Sequence, residues 1–133
     1  MPDFSSALRT RLATDAGLSS MVGTRVYRGI VPEGTALPYI RMNVISDPRP
    51  EHLKGYDAAR VSRVQVDCFA ASYGAARDMA DRVIAATIAP GTTEGIHFGR
   101  IKAEGPRDLG EDVEGTGYVF RASLDLLAEH RLA

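Results

Sequence analysis

Residues 118–126 read YVFRASLDL, and apolar side chains alternate with largely polar ones along the stretch. Alternation with a period of two is typical of a β-strand that buries one face. Phe120, Leu124 and Leu126 therefore lie on the buried face, and Arg121 and Asp125 lie on the opposite face. We expect Phe120 to anchor the core, with a loss of about 3–5 kcal/mol when it is truncated to Ala.

Two earlier segments repeat this pattern and extend the predicted sheet. Val64, Val66 and Cys68 alternate with charged or amide side chains, and Ile40, Met42 and Val44 do so in another segment. Both segments are therefore predicted to be strands with the same apolar face. Cys68 is expected to be a buried small hydrophobe rather than a nucleophile, because unpaired cysteines are among the most buried residue types.

The remaining periodic segments complete an α+β chain. Apolar residues at helical spacing predict a helix over residues 4–15, and weaker alternation predicts strands at 25–30 and 96–103. With a second helix described next, the order predicts a single domain over residues 1–133. The expected fold is α+β, a mostly antiparallel sheet of about five strands with two helices packed on one face.

The second helix is predicted over residues 73–89, before a Pro-Gly pair that ends it. Its charged residues can form the pairs Arg77/Asp81 and Asp78/Arg82, each one turn apart. Such pairs add roughly 0.2–0.5 kcal/mol to an exposed helix. They are interpreted as a surface feature rather than a site.

The polar face of the sheet carries Arg41, Arg63 and Arg121 with Asp67 and Asp125. These charges can pair across neighbouring strands. A solvated sheet face accounts for them, because antiparallel sheets commonly leave one face in water. The alternative is that this face meets a neighbouring subunit or lines a channel, and the sequence leaves both open.

Composition excludes several classes of function. The chain has 133 residues, a formal net charge of -1 and one cysteine. This balance lacks the basic excess that drives binding to nucleic acid, and one cysteine cannot form an internal disulfide. No apolar run approaches the ~20 residues that cross a bilayer, and the first residues lack a secretory signal. We expect a soluble chain that is intracellular when made and contacts no membrane.

Sequence motifs typical of nucleotide-binding or catalytic metal sites are missing. There is no phosphate-binding glycine loop and no pair of histidines at helical spacing. His52, His97 and His130 fall in a loop, a weak strand and the tail, so each is expected at the surface. The prediction is that the chain is not an enzyme and has no catalytic, cofactor-binding or metal-binding residues.

Two connections, residues 46–58 and 104–117, are long for so small a domain. The second is acidic, since it contains five carboxylates against Arg107 alone. Carboxylates in this density can hold a metal, but clustered acids beside glycines are usually solvated. We interpret the second connection as a docking arm that becomes ordered on assembly and the first as an interface arm, with a passive loop as the alternative.

Tyr and Arg are favoured anchors of protein interfaces, and these arms contain both. The predicted interface residues in the first arm are Arg49, His52, Lys54 and Tyr56, and those in the second are Arg107, Asp108, Leu109 and Glu111.

Several segments resemble the tail completion or tail terminator family of long-tailed phages and gene transfer agents. They are GTRVY at 23–27, VP at 31–32, LPYI at 37–40, RVQVDCF at 63–69 and the opening stretch at 118–126. The resemblance spans nearly the whole chain and consists of strand and turn patterns. It brings no catalytic residue and no cofactor.

The resemblance implies a structural virion protein that forms a ring, six-fold in expectation, on the head-proximal end of the tail tube. Such a ring stops tube growth and offers the head–tail joining surface. The implied partners are other copies of the chain, the tail tube protein and a head–tail adaptor or neck protein, with DNA only passing through the lumen. The implied location is the tail neck of a virion or transfer-agent particle, assembled in the bacterial cytoplasm.

Two other functions remain open from the residues alone. Another neck protein, such as an adaptor between portal and tail, would differ in the partner that it binds. A small-molecule-binding or hydrolytic α+β domain would need a concave apolar pocket with convergent polar groups. The polar groups here are spread along strands instead.

Overall fold

The computed structural model describes residues 3–48 and 59–133, which form an α+β fold of three helices and seven strands. The α+β class is confirmed, while the predicted counts of two helices and five strands are too low. The helices are α1 (Phe4–Thr14), α2 (Ala16–Val22) and α3 (Tyr73–Thr87). The strands are β1 (Val26–Arg28), β2 (Tyr39–Ser46), β3 (Arg60–Ala70), β4 (Gly91–Thr93), β5 (Ile96–Phe98), β6 (Lys102–Val113) and β7 (Gly117–Leu132).

The first predicted helix is in fact two helices that meet at Asp15. Asp3 caps α1 by accepting a hydrogen bond from the backbone N–H of Ser5 at 3.2 Å. Asp15 caps α2 in the same way, accepting from Leu18 at 3.0 Å. Gly17 belongs to the first turn of α2. The sequence prediction therefore missed the second cap.

Helix α3 lies where the sequence predicts it, but its ion pairs differ from the prediction. Arg77 pairs with Asp108 on β6 at 3.0 Å, and Arg82 pairs with Asp15 at 2.8 Å. The expected partners within the helix, Asp78 and Asp81, are exposed. Pairing between elements prevails because the carboxylate of Asp15 can accept two parallel bonds from one guanidinium, the strongest geometry for such a pair.

The sheet is organised around the 16-residue strand β7. Along one edge β7 pairs with β3, from Arg60 opposite His130 to Ala70 opposite Phe120. Along the other edge it pairs with β6 and then with β5. The strand order is β1-β2-β3-β7-β5-β4, with β6 also on β7. All pairs are antiparallel except β1 with β2.

The three strands predicted from alternation form the middle of this sheet and share one apolar face. Val44, predicted for that face, is instead 44% exposed near the end of β2, where the register with β3 shifts. Ile40 lies opposite Cys68, and Cys68 lies opposite Ala122, so the register joins buried residues from three strands. The helices contribute Leu8, Met79 and other buried residues to the same cluster. The predicted packing of helices against one face is thus confirmed. No helix in the described ranges has the length and hydropathy needed to cross a membrane.

The second predicted arm is not a loop, because strand β6 covers residues 102–113. Its backbone pairs with β7 from Lys102 opposite Leu127 to Val113 opposite Gly117. A turn at 114–116 closes this β6–β7 hairpin, where Gly115 adopts a φ of +82°. The sequence prediction missed this strand because its polar, glycine-containing residues show no apolar alternation. The strand forms because its backbone hydrogen-bonds to β7.

Candidate functional site

A charged network covers the sheet face opposite the helices. Asp67 on β3 is fully buried and lies between Arg41 on β2, at 3.2 Å, and Arg121 on β7, at 3.8 Å. Gln65 donates a further hydrogen bond to each carboxylate oxygen at 3.2 Å. The guanidinium carbons of both arginines lie over the ring of Phe69, at 5.3 and 5.9 Å from its centre. The predicted cross-strand pairing is confirmed. At Asp67, however, this face is buried and not solvated as the sequence suggested.

A second group of charges continues the network toward β6. Asp125 on β7 accepts from Arg63 at 2.7 Å and pairs with Arg107 at 3.2 Å. Arg63 also reaches Glu104 at 3.0 Å. Hydrogen bonding to Asp125 raises the pKa of Arg63, so its positive charge is secure at any physiological pH. These charges neutralise one another across three strands and hold β6 in register.

The four predicted interface residues of the second arm lie on β6 in different surroundings. Arg107 bonds to Ser123 and Asp125 on β7. Asp108 faces the helices and accepts from Tyr73 and Arg77, each at 3.0 Å. Both are therefore committed to contacts within the subunit.

Leu109 and Glu111 are exposed. Burial raises the pKa of Tyr39 on β2, and the charge of Glu111 adds to that rise while Arg41 opposes it. Glu111 therefore lies within electrostatic reach of the far strand. Leu109 and Glu111 are the two residues of this set that remain available to a partner.

Gly110 allows an aromatic side chain to cross β6. A Cβ at this position would lie 2.7 Å from the hydroxyl oxygen of Tyr118 and 2.8 Å from the carbonyl oxygen of Val119. The ring of Tyr118 packs edge-on against Phe120, with 4.7 Å between centres. Leu109 and Tyr118 line an open groove of about 390 Å³ beside this crossing. The glycine thus serves close packing, not flexibility.

The four predicted residues of the first arm, Arg49, His52, Lys54 and Tyr56, lie outside the described ranges. Their proposed role is unchanged by the structure.

One buried cluster has the residue types of a hydrolase but not the arrangement. Ser62 donates to Asp47 at 2.7 Å and lies 2.8 Å from Nε2 of His130. In a catalytic triad the carboxylate orients the imidazole and the serine is open to substrate. Here the carboxylate accepts a hydrogen bond from the serine hydroxyl, and Ser62 and His130 are at most 1% exposed. The cluster is structural.

The prediction that all three histidines lie at the surface is wrong for His130, which is buried. It stacks on Phe4 with 4.1 Å between ring centres, which ties the C-terminal part of β7 to α1. Its place on the buried side follows from the alternation Leu126, Ala128, His130, a signal that the sequence contained.

Cys68 is fully buried, as predicted. Burial, with a smaller contribution from the charge of Asp67, raises the pKa of its thiol and suppresses the reactive thiolate. Within residues 3–48 and 59–133 no group of three or more His, Cys, Asp or Glu residues is arranged to hold a metal ion.

The accessible features of residues 3–48 and 59–133 include an edge strand, an acidic hairpin end and open grooves. Features of this kind can bind other protein chains. The chain belongs to the family described as tail completion protein gp17, whose model matches residues 6–128. It is a structural protein of a phage-type tail, and the family resemblance seen in the sequence is confirmed.

Comparison with solved structures agrees on the fold. A chain from the structure titled "Virion of native gene transfer agent (GTA) particle" is similar over 93% of this chain and 92% of its own length. The TM-score is 0.62 and the sequence identity is 21%, so the likeness concerns the fold. No curated protein matches the sequence.

Proposed function

We propose that this chain forms a closed ring, six-fold by analogy with the family, that caps the head-proximal end of the tail tube. The ring stops tube growth and presents the joining surface for the head. It acts without catalysis or cofactor. Its partners are neighbouring copies, the tail tube protein and a head–tail adaptor, and DNA passes through the lumen without specific contacts.

The observation that carries this proposal is the family match over residues 6–128 to tail completion proteins. The fold is compatible with a ring because β6 is hydrogen-bonded on one side only within the described ranges. An edge strand offers unpaired backbone groups to another chain. A ring needs two different, complementary surfaces on each subunit, and open edges and grooves supply them.

We keep both arms as proposed interfaces, but only part of the second arm is proposed to contact a partner directly. Leu109 and Glu111 on β6 are available to a partner, whereas Arg107 and Asp108 act indirectly by fixing β6 to β7 and α3. Arg49, His52, Lys54 and Tyr56 are proposed as direct contacts. Large aromatic and arginine side chains among them are the expected anchors.

The test is to measure the mass of the purified chain by mass photometry at several concentrations, alone and with preassembled tail tubes. We expect either a closed oligomer or a monomer that oligomerises on tube ends. Electron microscopy of particles lacking the chain should show tails of uncontrolled length or tails without heads. A persistent monomer that ignores tubes, with normal tails in its absence, would exclude the capping function.

The same preparation separates the capping protein from a portal-to-tail adaptor. A capping protein binds tubes in the absence of portal, whereas an adaptor binds portal in the absence of tubes. Labelled chain mixed with each purified partner and sedimented therefore distinguishes the two functions.

A further inference from the structure

Strand β6 carries two contrasting surfaces at its two ends. It has 12 residues, so its ends are about 35 Å apart at ~3.3 Å per residue. One end is the hairpin tip, defined here as residues 109–118. The other end borders a groove formed by α3 and the start of β6. A contact between these two surfaces cannot form within one subunit.

The groove at the start of β6 is apolar inside and cationic at its rim. Its volume is about 530 Å³, and Ile88 within it is 43% exposed. Arg100 and Lys102 are exposed, and in the described ranges neither has a carboxylate within ion-pairing distance. The groove is lined by Ile84, Ile88, Arg100, Ile101, Lys102 and Ala103.

The hairpin tip has the opposite charge and a similar apolar content. Residues 109–118 contain three acidic residues and no basic residue. Asp112 and Glu114 are exposed, and in the described part of the chain neither forms an ion pair. Leu109 and Tyr118 are 40% and 51% exposed. Acidic groups flanking exposed apolar side chains complement a basic rim around an apolar groove.

We propose that the hairpin tip of one copy docks into the Arg100/Lys102 groove of the next copy. This inference rests on the proposed ring and names one of its contacts. The two surfaces differ and lie at opposite ends of a rigid strand, so the contact is head-to-tail. A head-to-tail contact generates a ring when the rotation closes. The ion pairs Asp108–Arg77 and Asp125–Arg107 tie β6 to α3 and to β7.

The test exploits the head-to-tail geometry with two charge-reversed variants. The tip variant carries Asp112→Lys and Glu114→Lys, and the groove variant carries Arg100→Glu and Lys102→Glu. Each variant alone opposes like charges at every contact, so we expect the concentration for half-assembly on tubes to rise at least about tenfold. In a 1:1 mixture both kinds of contact between unlike variants are complementary. The mixture should therefore assemble into rings in which the variants alternate.

A matched control carries the same charge change elsewhere. Asp78→Lys with Asp81→Lys alters two exposed acids on α3 and should assemble as the wild type does. Thermal unfolding of each variant verifies that it is folded. Assembly is read by mass photometry with tail tubes, as for the wild-type chain.

The outcomes are distinct. Loss of assembly by each variant and recovery in the mixture supports the contact. Normal assembly of either variant alone, or failure of the mixture while the wild type assembles, overturns the contact and leaves the ring intact. Failure of the wild type to assemble overturns the proposed function, and this contact with it.

Discussion

Arg82 on α3 donates two hydrogen bonds to the carboxylate of Asp15, from Nε at 2.8 Å and from Nη2 at 2.9 Å. The same carboxylate caps α2 through the N–H of Leu18. One side chain thus joins a helix start to a second helix. Gly17 lies directly beneath this pair, where a Cβ would be 2.2 Å from Arg82 Nε.

This arrangement predicts a component of acid unfolding. The hydrogen bond from Arg82 holds the pKa of Asp15 below its ordinary value, assisted by the Leu18 N–H and opposed by partial burial. Because the folded pKa is lower than the unfolded one, the stabilisation is complete above roughly pH 4 and is lost as the pH falls through the folded value. Asp15→Asn, which can still cap α2, should reduce the slope of stability against pH below that point.

The measurement is urea unfolding of both proteins between pH 2 and pH 7. Asp81→Asn makes the same chemical change at an exposed site and should leave the slope as it is in the wild type. An unchanged acid slope in Asp15→Asn would contradict the assignment.

Asp67 is the second target, because it is fully buried between Arg41 and Arg121. Asp67→Ala leaves two guanidinium groups facing each other without their shared anion. We expect the free energy of unfolding to fall by about 3 kcal/mol in chemical denaturation. Asp81→Ala, at an exposed site, should change it by less than about 0.5 kcal/mol. Similar small losses in both variants would show that the arginines relax into water.

Phe98, rather than Phe120, is the aromatic anchor of the core. Phe98 is fully buried, whereas Phe120 is partly buried and packs at the margin of the cluster. Phe98→Ala should cost about 3–5 kcal/mol, and Phe120→Ala about 1–2 kcal/mol, because less apolar surface is lost from the partly exposed site. Denaturant unfolding of the two variants ranks them directly. A larger loss for Phe120 would restore the expectation from the sequence.

Gly110 should tolerate no side chain. In Gly110→Ala the new methyl group meets the Val119 carbonyl, so the hairpin must shift, at a cost of roughly 1–3 kcal/mol. Gly74 lies in the first turn of α3. Apart from its chain neighbours and the backbone of its own helix, no atom lies within 4 Å of the place that a methyl group would occupy there. Gly74→Ala should therefore be neutral or slightly stabilising. Thermal unfolding distinguishes them, and equal melting temperatures would contradict the close packing.

The sequence predicts the elements whose side-chain pattern reflects burial on one side. Alternation located β2, β3 and just over half of β7, and helical spacing located α1 and α3. The family resemblance followed from the same segments. The sequence failed to predict an element whose structure depends on hydrogen bonds to a strand elsewhere in the chain. Half of the residues of β6 are charged and two are glycines, and the segment is a strand because β7 supplies its ladder partners.

The ion pairs of the candidate site likewise fall into those that the sequence predicts and those that it does not. The cross-strand pairs of Asp67 and Asp125 follow from alternation, because residues on one face of neighbouring strands meet. The pairs Arg77–Asp108 and Arg82–Asp15 join residues 31 and 67 positions apart and have no local signal. The groove at Arg100 and Lys102 likewise exists only because the end of α3 packs beside the start of β6.

The sequence by itself determined the α+β class, the buried face of the central strands and the family of tail completion proteins. The fold class and the buried face depend on periodicity and local turn chemistry, which a single chain records residue by residue, whereas the family was recognised from the resemblance of particular segments. Tertiary structure alone decided that the acidic segment is a strand, which carboxylate each arginine binds, and which surfaces face outward at the two ends of β6. Those outcomes depend on the distances between elements far apart in the chain, and only packing of the folded sheet and helices fixes such distances.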